Sequence, residues 1–174
     1  MNWNVLFDYL PETGELVWKA RPISAYRRQQ DVVRFNTMRA GRIAGNANAA
    51  GYLKLSINKE MYYVHRIVWE MHNGPIQSGM VIDHANKNKS DNRLCNLRLA
   101  TPLQNGANSK ARSHNTSGLK GVMAACSSHR GAKRWRARIA HEGVTRYLGY
   151  FHTKEEAHSA YQSELAKLHG EFAS

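Results

Sequence analysis

The chain has 174 residues and a mass of 19.7 kDa, enough for one medium domain or two small ones. Its apolar runs are too short for a membrane span of roughly 20 residues. The acidic, uneven N-terminus (Asp8, Glu12, Glu15) argues against a secretory leader. Two distant cysteines, Cys95 and Cys126, provide neither a disulfide framework nor a four-cysteine zinc site, so a reducing, cytoplasmic setting is expected. A net charge of +12 at pH 7 points to a polyanionic partner.

In chain order, V-H-R-I-V-W-E (64–70) comes first. Its His65 either supports a site from behind or packs under a hairpin, and Trp69 reads as core. Val81-Ile82-Asp83-His84 reads as a short strand that presents a carboxyl and an imidazole side by side. The following Asn- and Lys-rich stretch, 86–92, is a loop. Its Lys87 and Lys89 are either solvated or phosphate contacts. Residues 96–99 read as a return strand. Thr101, Pro102 and Gln104 then mark a helix start, with Thr as N-cap, Pro in the first helical position and Gln closing a capping box. The order is therefore strand, loop, strand, helix, with Asp83 and His84 on the first element and Asn105 in the first turn of the last.

The polar stretch 105–117 begins as a plausible helix continuation and becomes a linker near Arg112. The expected division is a domain over 1–111 (core motif 62–108), a linker over 112–117 and a second domain over 118–174. In the second, a strand is expected over 119–125. Trp135, Ala137 and Ile139 alternate with Arg134, Arg136 and Arg138, so a strand there carries an apolar face and an arginine face. Glu142-Gly143 makes a turn and 144–151 a second hairpin strand. Thr153 and Glu156 form a capping box. The helix it opens carries Ala157, Ala160, Tyr161, Leu165 and Leu168 on one stripe and ends at Gly170. Seven basic residues face one acidic residue over 120–146. Within this stretch Lys120, Arg134, Arg136, Arg138, Arg146 and Tyr147 are the expected DNA contacts. A ribbon of this kind fits a major groove, and arginine serves both phosphate and guanine.

The middle segment suits phosphodiester chemistry. A hard divalent ion takes oxygen ligands, and the Asp83 carboxylate with the Asn105 amide oxygen offers two. An imidazole has an unperturbed pKa of about 6.5, so His84 can accept a proton from an attacking water near neutral pH. Adjacent strand residues point to opposite faces, so Asp83 and His84 need a bend or separate approaches to serve one phosphate.

Residues 62–108 resemble the HNH endonuclease family in its phage homing branch, through Asp83-His84, Asn96-Leu97-Arg98 and Gln104-Asn105 in order. V-H-R-I-V-W-E is similar to that branch's lead-in, and Y-L-P-E-T-G-E-L-V-W (9–18) and A-G…A-G…G-Y (40–52) match more loosely. The resemblance implies an α+β chain with a ββα-metal nuclease domain and metal-dependent hydrolysis of double-stranded DNA. It assigns the general base to His84 and metal ligation to Asp83 and Asn105. Asn96 would tie down the loop, and Asn108 competes as a ligand. Many relatives carry histidine where Asn105 stands; the neutral amide favours Mg²⁺ or Mn²⁺ over zinc.

Residues 118–173 are similar to the Apetala/ethylene-response-factor DNA-binding domain, through R-W-R-A-R-I (134–139), Y-L-G-Y-F (147–151) and T-K-E-E-A-H-S-A-Y (153–161). That resemblance implies a three-stranded antiparallel sheet packed on one helix, with the sheet face against DNA. Met123, Ala124 and Ala125 replace arginines of the plant members, and Tyr147 replaces a frequent Trp. The expectation is a monomeric DNA endonuclease needing no organic cofactor and no membrane. The rival reading is a sequence-specific DNA-binding regulator with an inactive nuclease part. A structural RNA-binding protein is a third.

Overall fold

The computed structural model describes residues 1–25, 27–111, 115–125 and 134–173. The linker residues 112–114, Cys126, and the basic residues Arg130 and Lys133 lie outside the described residues. No helix among the described residues is long and apolar enough to cross a membrane. The chain is mixed α and β with small antiparallel sheets, and it divides into compact units over Met1–Leu99 and Ala100–Ser174.

The first unit opens with the hairpin β1 (Phe7–Leu10) and β2 (Glu15–Trp18). Helix α1 (Gln29–Arg39) follows, then β3 (Ile43–Ala44), which adds to β2. A second sheet has the order β4 (Asn46–Ala47), β5 (Leu53–Ile57), β6 (Glu60–Tyr63). Its β5–β6 turn holds Asn58 and Lys59, both at positive φ, which suits a two-residue hairpin loop. Helix α2 (Val64–Asn73) starts directly after β6. Strands β7 (Val81–His84) and β8 (Leu97–Ala100) form a two-stranded sheet. The core gathers Trp3, Phe7, Leu16, Trp18, Leu55, Val64, Ile67, Val68, Ile82 and Leu97, with Trp69 packed on its edge. The apolar stripe of α2 and alternate strand residues thus share one interior.

The second unit starts with α3 (Pro102–Asn108), capped by Thr101: its side chain accepts from Gln104 N while Gln104 returns a bond to Thr101 N. Strands β9 (Val122–Ala124), β10 (Trp135–His141) and β11 (Val144–Phe151) form a sheet in the order β11-β10-β9. Helix α4 (Lys154–His169) follows, with the Thr153–Glu156 capping box at its start and Gly170 at its end. Val122, Ala137, Ile139, Ala157, Tyr161 and Leu165 form one core.

Two boundaries differ from the sequence reading. Strand β9 begins three residues later than expected, because the Ser117 hydroxyl holds 115–122 in a turn through the carbonyls of Leu119 and Val122. Helix α3 packs with the second unit, whereas the sequence places it at the end of the first. Its Ala107 is buried in the second core, and the Lys120 ammonium bonds the carbonyls of Gly106, Ala107 and Ser109 at the helix end. A cation on the last carbonyls of a helix satisfies acceptors that have no partner within it.

Candidate active site

Strand β7 carries Asp83 and His84, both 4% exposed. A carboxylate buried that far needs a cationic or hydrogen-bonding partner. Arg98 of β8 supplies one: Asp83 Oδ2 accepts from Arg98 Nε at 2.9 Å, and Arg98 Nη2 lies 2.9 Å from the same oxygen. His84 has separate partners. Its Nε2 lies 3.2 Å from Asn92 Oδ1, an acceptor, so the neutral ring donates from Nε2. The two adjacent side chains therefore make different contacts, in keeping with strand alternation.

The His84 ring belongs to an aromatic group. His65, in the first turn of α2, meets it edge-on at 5.1 Å between ring centres. Tyr52 lies 5.9 Å from His84 and 5.3 Å from His65, and Tyr63 lies 5.4 Å from His65. Burial pushes the His65 imidazole down to about 3, with His84 and Arg66 adding to the shift. Burial also lowers His84, against the raising influence of its bond to Asn92 and of nearby Asp83 and Asp91. Both rings are thus held neutral at pH 7. The buried Nδ1 of His65 and Nδ2 of Asn92 have no hydrogen-bond partner among the described residues.

The loop between β7 and β8 is built from its own amides. Asn96 Oδ1 accepts from Asn86 N at 3.0 Å, and Asn96 Nδ2 donates to Asp91 O at 2.8 Å, tying the two ends together. Asn86 and Asn88 accept from backbone nitrogens two residues on, the usual Asx-turn arrangement. Asp91 pairs with Arg93. The N-terminal hairpin braces this loop from behind. The Tyr9 hydroxyl accepts from Leu94 N at 2.8 Å. Gly14 sits at φ +76°, and a Cβ there would stand 2.4 Å from Arg93 N and 2.5 Å from Asn92 C. Only glycine fits that approach.

Other residues singled out by the sequence fall as follows. Lys89 Nζ donates to Ala50 O at 3.2 Å and lies 4.6 Å over the Tyr52 ring. Lys87 is half-buried at positive φ. Asn105 is half-buried on α3, and Asn108 is buried at its end. Arg134 and Arg138 are exposed, and Arg136 is half-buried with its Nε lacking a hydrogen-bond partner among the described residues. Register places Met123 and Tyr150 opposite Arg136, and Tyr147 opposite Arg138, so these five share the face turned away from Ala137 and Ile139. Arg146 lies opposite Ile139, on the helix side, 3.5 Å from Glu164 of α4. Lys120 is engaged at the end of α3. Neither of these two stands on the arginine face.

Sequence reading gave no role to Asn92, Tyr52, Tyr63 or Arg98. Asn92 lies in the Asn- and Lys-rich run 86–92, where nothing local separates it from its neighbours, and Tyr52 is too distant in sequence to signal itself. Arg98 had a signal: a return strand beside β7 places an opposite charge across from a buried acid.

Asp83 belongs to the first unit, and Asn105 and Asn108 to the second; a carboxylate and carboxamide oxygens are the donor types that suit a hard divalent ion. Among the described residues no three His, Cys, Asp or Glu side chains gather as a metal cluster.

A sequence model of the HNH endonuclease family matches residues 62–107, which include Asp83, His84, Asn92, Arg98 and Asn105. Protein 3.8 of Escherichia phage T7 is 38% identical over 109 residues, covering 63% of this chain and 86% of that protein. An HNH endonuclease of Acanthamoeba polyphaga mimivirus, L560, is 32% identical over 111 residues, covering 63% of this chain; the chain spans 54% of that relative's length. Among solved structures, the HNH homing endonuclease I-HmuI aligns at a TM-score of 0.35 and 24% identity, over 55% of this chain and 47% of its own. With a phage relative matched along most of its length and the family's own segment falling on the strand that buries Asp83 and His84, this chain belongs to the HNH endonuclease family.

Proposed function

We propose that this protein is a metal-dependent endonuclease of the phage homing type that hydrolyses phosphodiester bonds in double-stranded DNA. The observation that carries the reading is His84: a buried, neutral imidazole beside a buried acid, oriented by Asn92, within the segment that matches the family. The imidazole takes a proton from water as the water oxygen bonds to phosphorus and the leaving oxygen departs. Asn92 fixes the ring's tautomer, and the packing of His65 and Tyr52 fixes its plane. The family resemblance assigns a divalent ion, Mg²⁺ or Mn²⁺, to Asp83 and Asn105, with Asn108 as the competing ligand. Such an ion, when bound, stabilises negative charge on the phosphate and the leaving oxygen. Asn96 keeps the loop closed around Asn92. Arg98 offsets the charge of Asp83 and holds the carboxylate in place.

The second part of the proposal gives DNA targeting to the sheet of the C-terminal unit, in the manner of an Apetala/ethylene-response-factor domain. Support comes from Arg134, Arg136, Arg138 and Tyr147, whose positions leave them off the apolar core. Nuclease chemistry needs only a phosphate, so site choice can be delegated to groove contacts elsewhere.

Supercoiled plasmid with Mg²⁺, with and without chelator, tests the reading. Nicking is expected to vanish with chelator and to fall by about 10²–10⁴-fold in His84→Ala, with duplex binding retained. Retained binding with no cutting under any divalent ion would instead favour a DNA-binding regulator with an inactive nuclease part. Tighter binding to folded RNA than to duplex DNA in a competition gel would favour an RNA-binding protein.

A further inference from the structure

The C-terminal arginine face is not the largest concentration of uncompensated charge on the described surface. Over 19–42 the chain carries seven basic residues and a single acid, Asp31. Three of the seven are already engaged. Lys19 pairs with Asp8 at 3.1 Å. The Arg21 guanidinium lies 4.0 Å from the Phe35 ring centre and 5.6 Å from that of Trp18, and Arg39 lies 5.6 Å from Trp18. The remaining four, Arg27, Arg28, Arg34 and Arg42, are exposed and form no ion pair among the described residues.

Two of them sit where they oppose the fold. Arg27 and Arg28 precede helix α1, with Arg28 as its N-cap and no side-chain cap bond. Cations at a helix N-terminus oppose its dipole and cost stability there. Only Val32 of α1 is fully buried, with Phe35 packed at the core edge; Gln30, Arg34, Thr37 and Met38 form an outward stripe. An 11-residue helix extends about 16 Å, and a duplex presents one phosphate about every 1.7 Å of its axis. Arg27 and Arg28 precede the helix, Arg34 lies within it and Arg42 follows it, so exposed cations recur over a length that spans many phosphates.

We propose that 27–42 is a second DNA surface, placed in the same unit as Asp83 and His84, that grips the duplex backbone independently of sequence. Arg27, Arg28, Arg34 and Arg42 supply the phosphate contacts. Arg21 and Arg39, held against Trp18 and Phe35, are ordered cations beside them. This rests on duplex DNA being the substrate of the proposed nuclease, and it assigns backbone grip to the first unit as well as the second.

The test measures the full-length chain on two unrelated 30-base-pair duplexes across a range of salt. The triple variant Arg27→Ala/Arg28→Ala/Arg34→Ala is expected to lower the slope of log Kd against log salt by about 2–3, equally on both duplexes. The matching triple lysine variant keeps the charge and is expected to keep the slope. A steep wild-type slope left unchanged by the alanine variant would overturn the surface. A lysine variant that loses slope like the alanine one would also overturn it, by showing a fold defect. A wild-type slope near zero would instead remove duplex DNA as the partner, and with it the nuclease reading.

Discussion

The two units differ in which polar side chains they bury and how they hold them. The first buries them: His65, Asp83, His84, Asn92 and Asn96 all lie inside, each held by rings, amides or an ion pair. The second buries Asn108, Ser117 and His169 but no carboxylate, keeps an apolar core of Val122, Ala137, Ile139, Tyr161 and Leu165, and leaves Arg134, Arg138 and Tyr147 outside. Burial of polar groups is costly unless they are satisfied, so a unit that does it is organised around them. Exposed cations cost little and reach a partner directly. Both units display exposed arginines, so what sets the first apart is the buried acid and imidazole of β7.

Four experiments sharpen or break that contrast. The largest effect is expected in the buried ion pair. Arg98→Ala leaves the Asp83 carboxylate buried without its guanidinium partner and should cost about 3–5 kcal/mol of unfolding free energy, read by urea titration. A loss below about 1 kcal/mol would place Asp83 in water. Next, Asn92→Ala removes the acceptor of His84 Nε2 and should cost about 1–3 kcal/mol. It should also lower nicking while leaving duplex binding intact, a split that simple destabilisation would not produce at low temperature.

The third experiment uses pH, in chelator. The folded state keeps His65 neutral down to about 3, whereas the unfolded chain takes up a proton below about 6.5. Stability should therefore fall as pH drops from about 6.5 toward 3, by at most about 1.4 kcal/mol per pH unit from this group, with no contribution above that window. Burial of His84 acts in the same direction, so His65→Gln should flatten the dependence without abolishing it.

The smallest effects concern the second unit. Arg146→Ala removes a partly exposed ion pair with Glu164, worth under about 1 kcal/mol, and should leave the salt dependence of DNA binding unchanged. Arg138→Ala should lower that salt slope by about 0.9. Equal slopes for the two variants would remove the distinction between the faces of β10 and β11.

Much of this was legible in the chain. The caps at Thr101–Gln104 and Thr153–Glu156 fix two helix starts locally, and alternation over 134–139 fixes which residues of β10 turn inward. Asp83 and His84 stand out because the motif blocks recur in order. Arg146 shows how register decides: a two-residue turn at Glu142-Gly143 puts it across from Ile139 and not from Arg138. The engagement of Lys120 with α3, and the gathering of Tyr52, His65 and His84, depend on tertiary packing between segments far apart in sequence. No local pattern announces such contacts.

The glycine at position 14 reaches beyond its own turn. Its missing side chain lets the first hairpin lie directly against the backbone of Asn92 and Arg93, some eighty residues later. The orientation of the proposed base is thereby underwritten by a part of the chain outside the family-matched segment. A minimal fragment over 62–107 would hold every proposed catalytic group and yet lack its scaffold, so the motif and the working unit are not the same length of polypeptide.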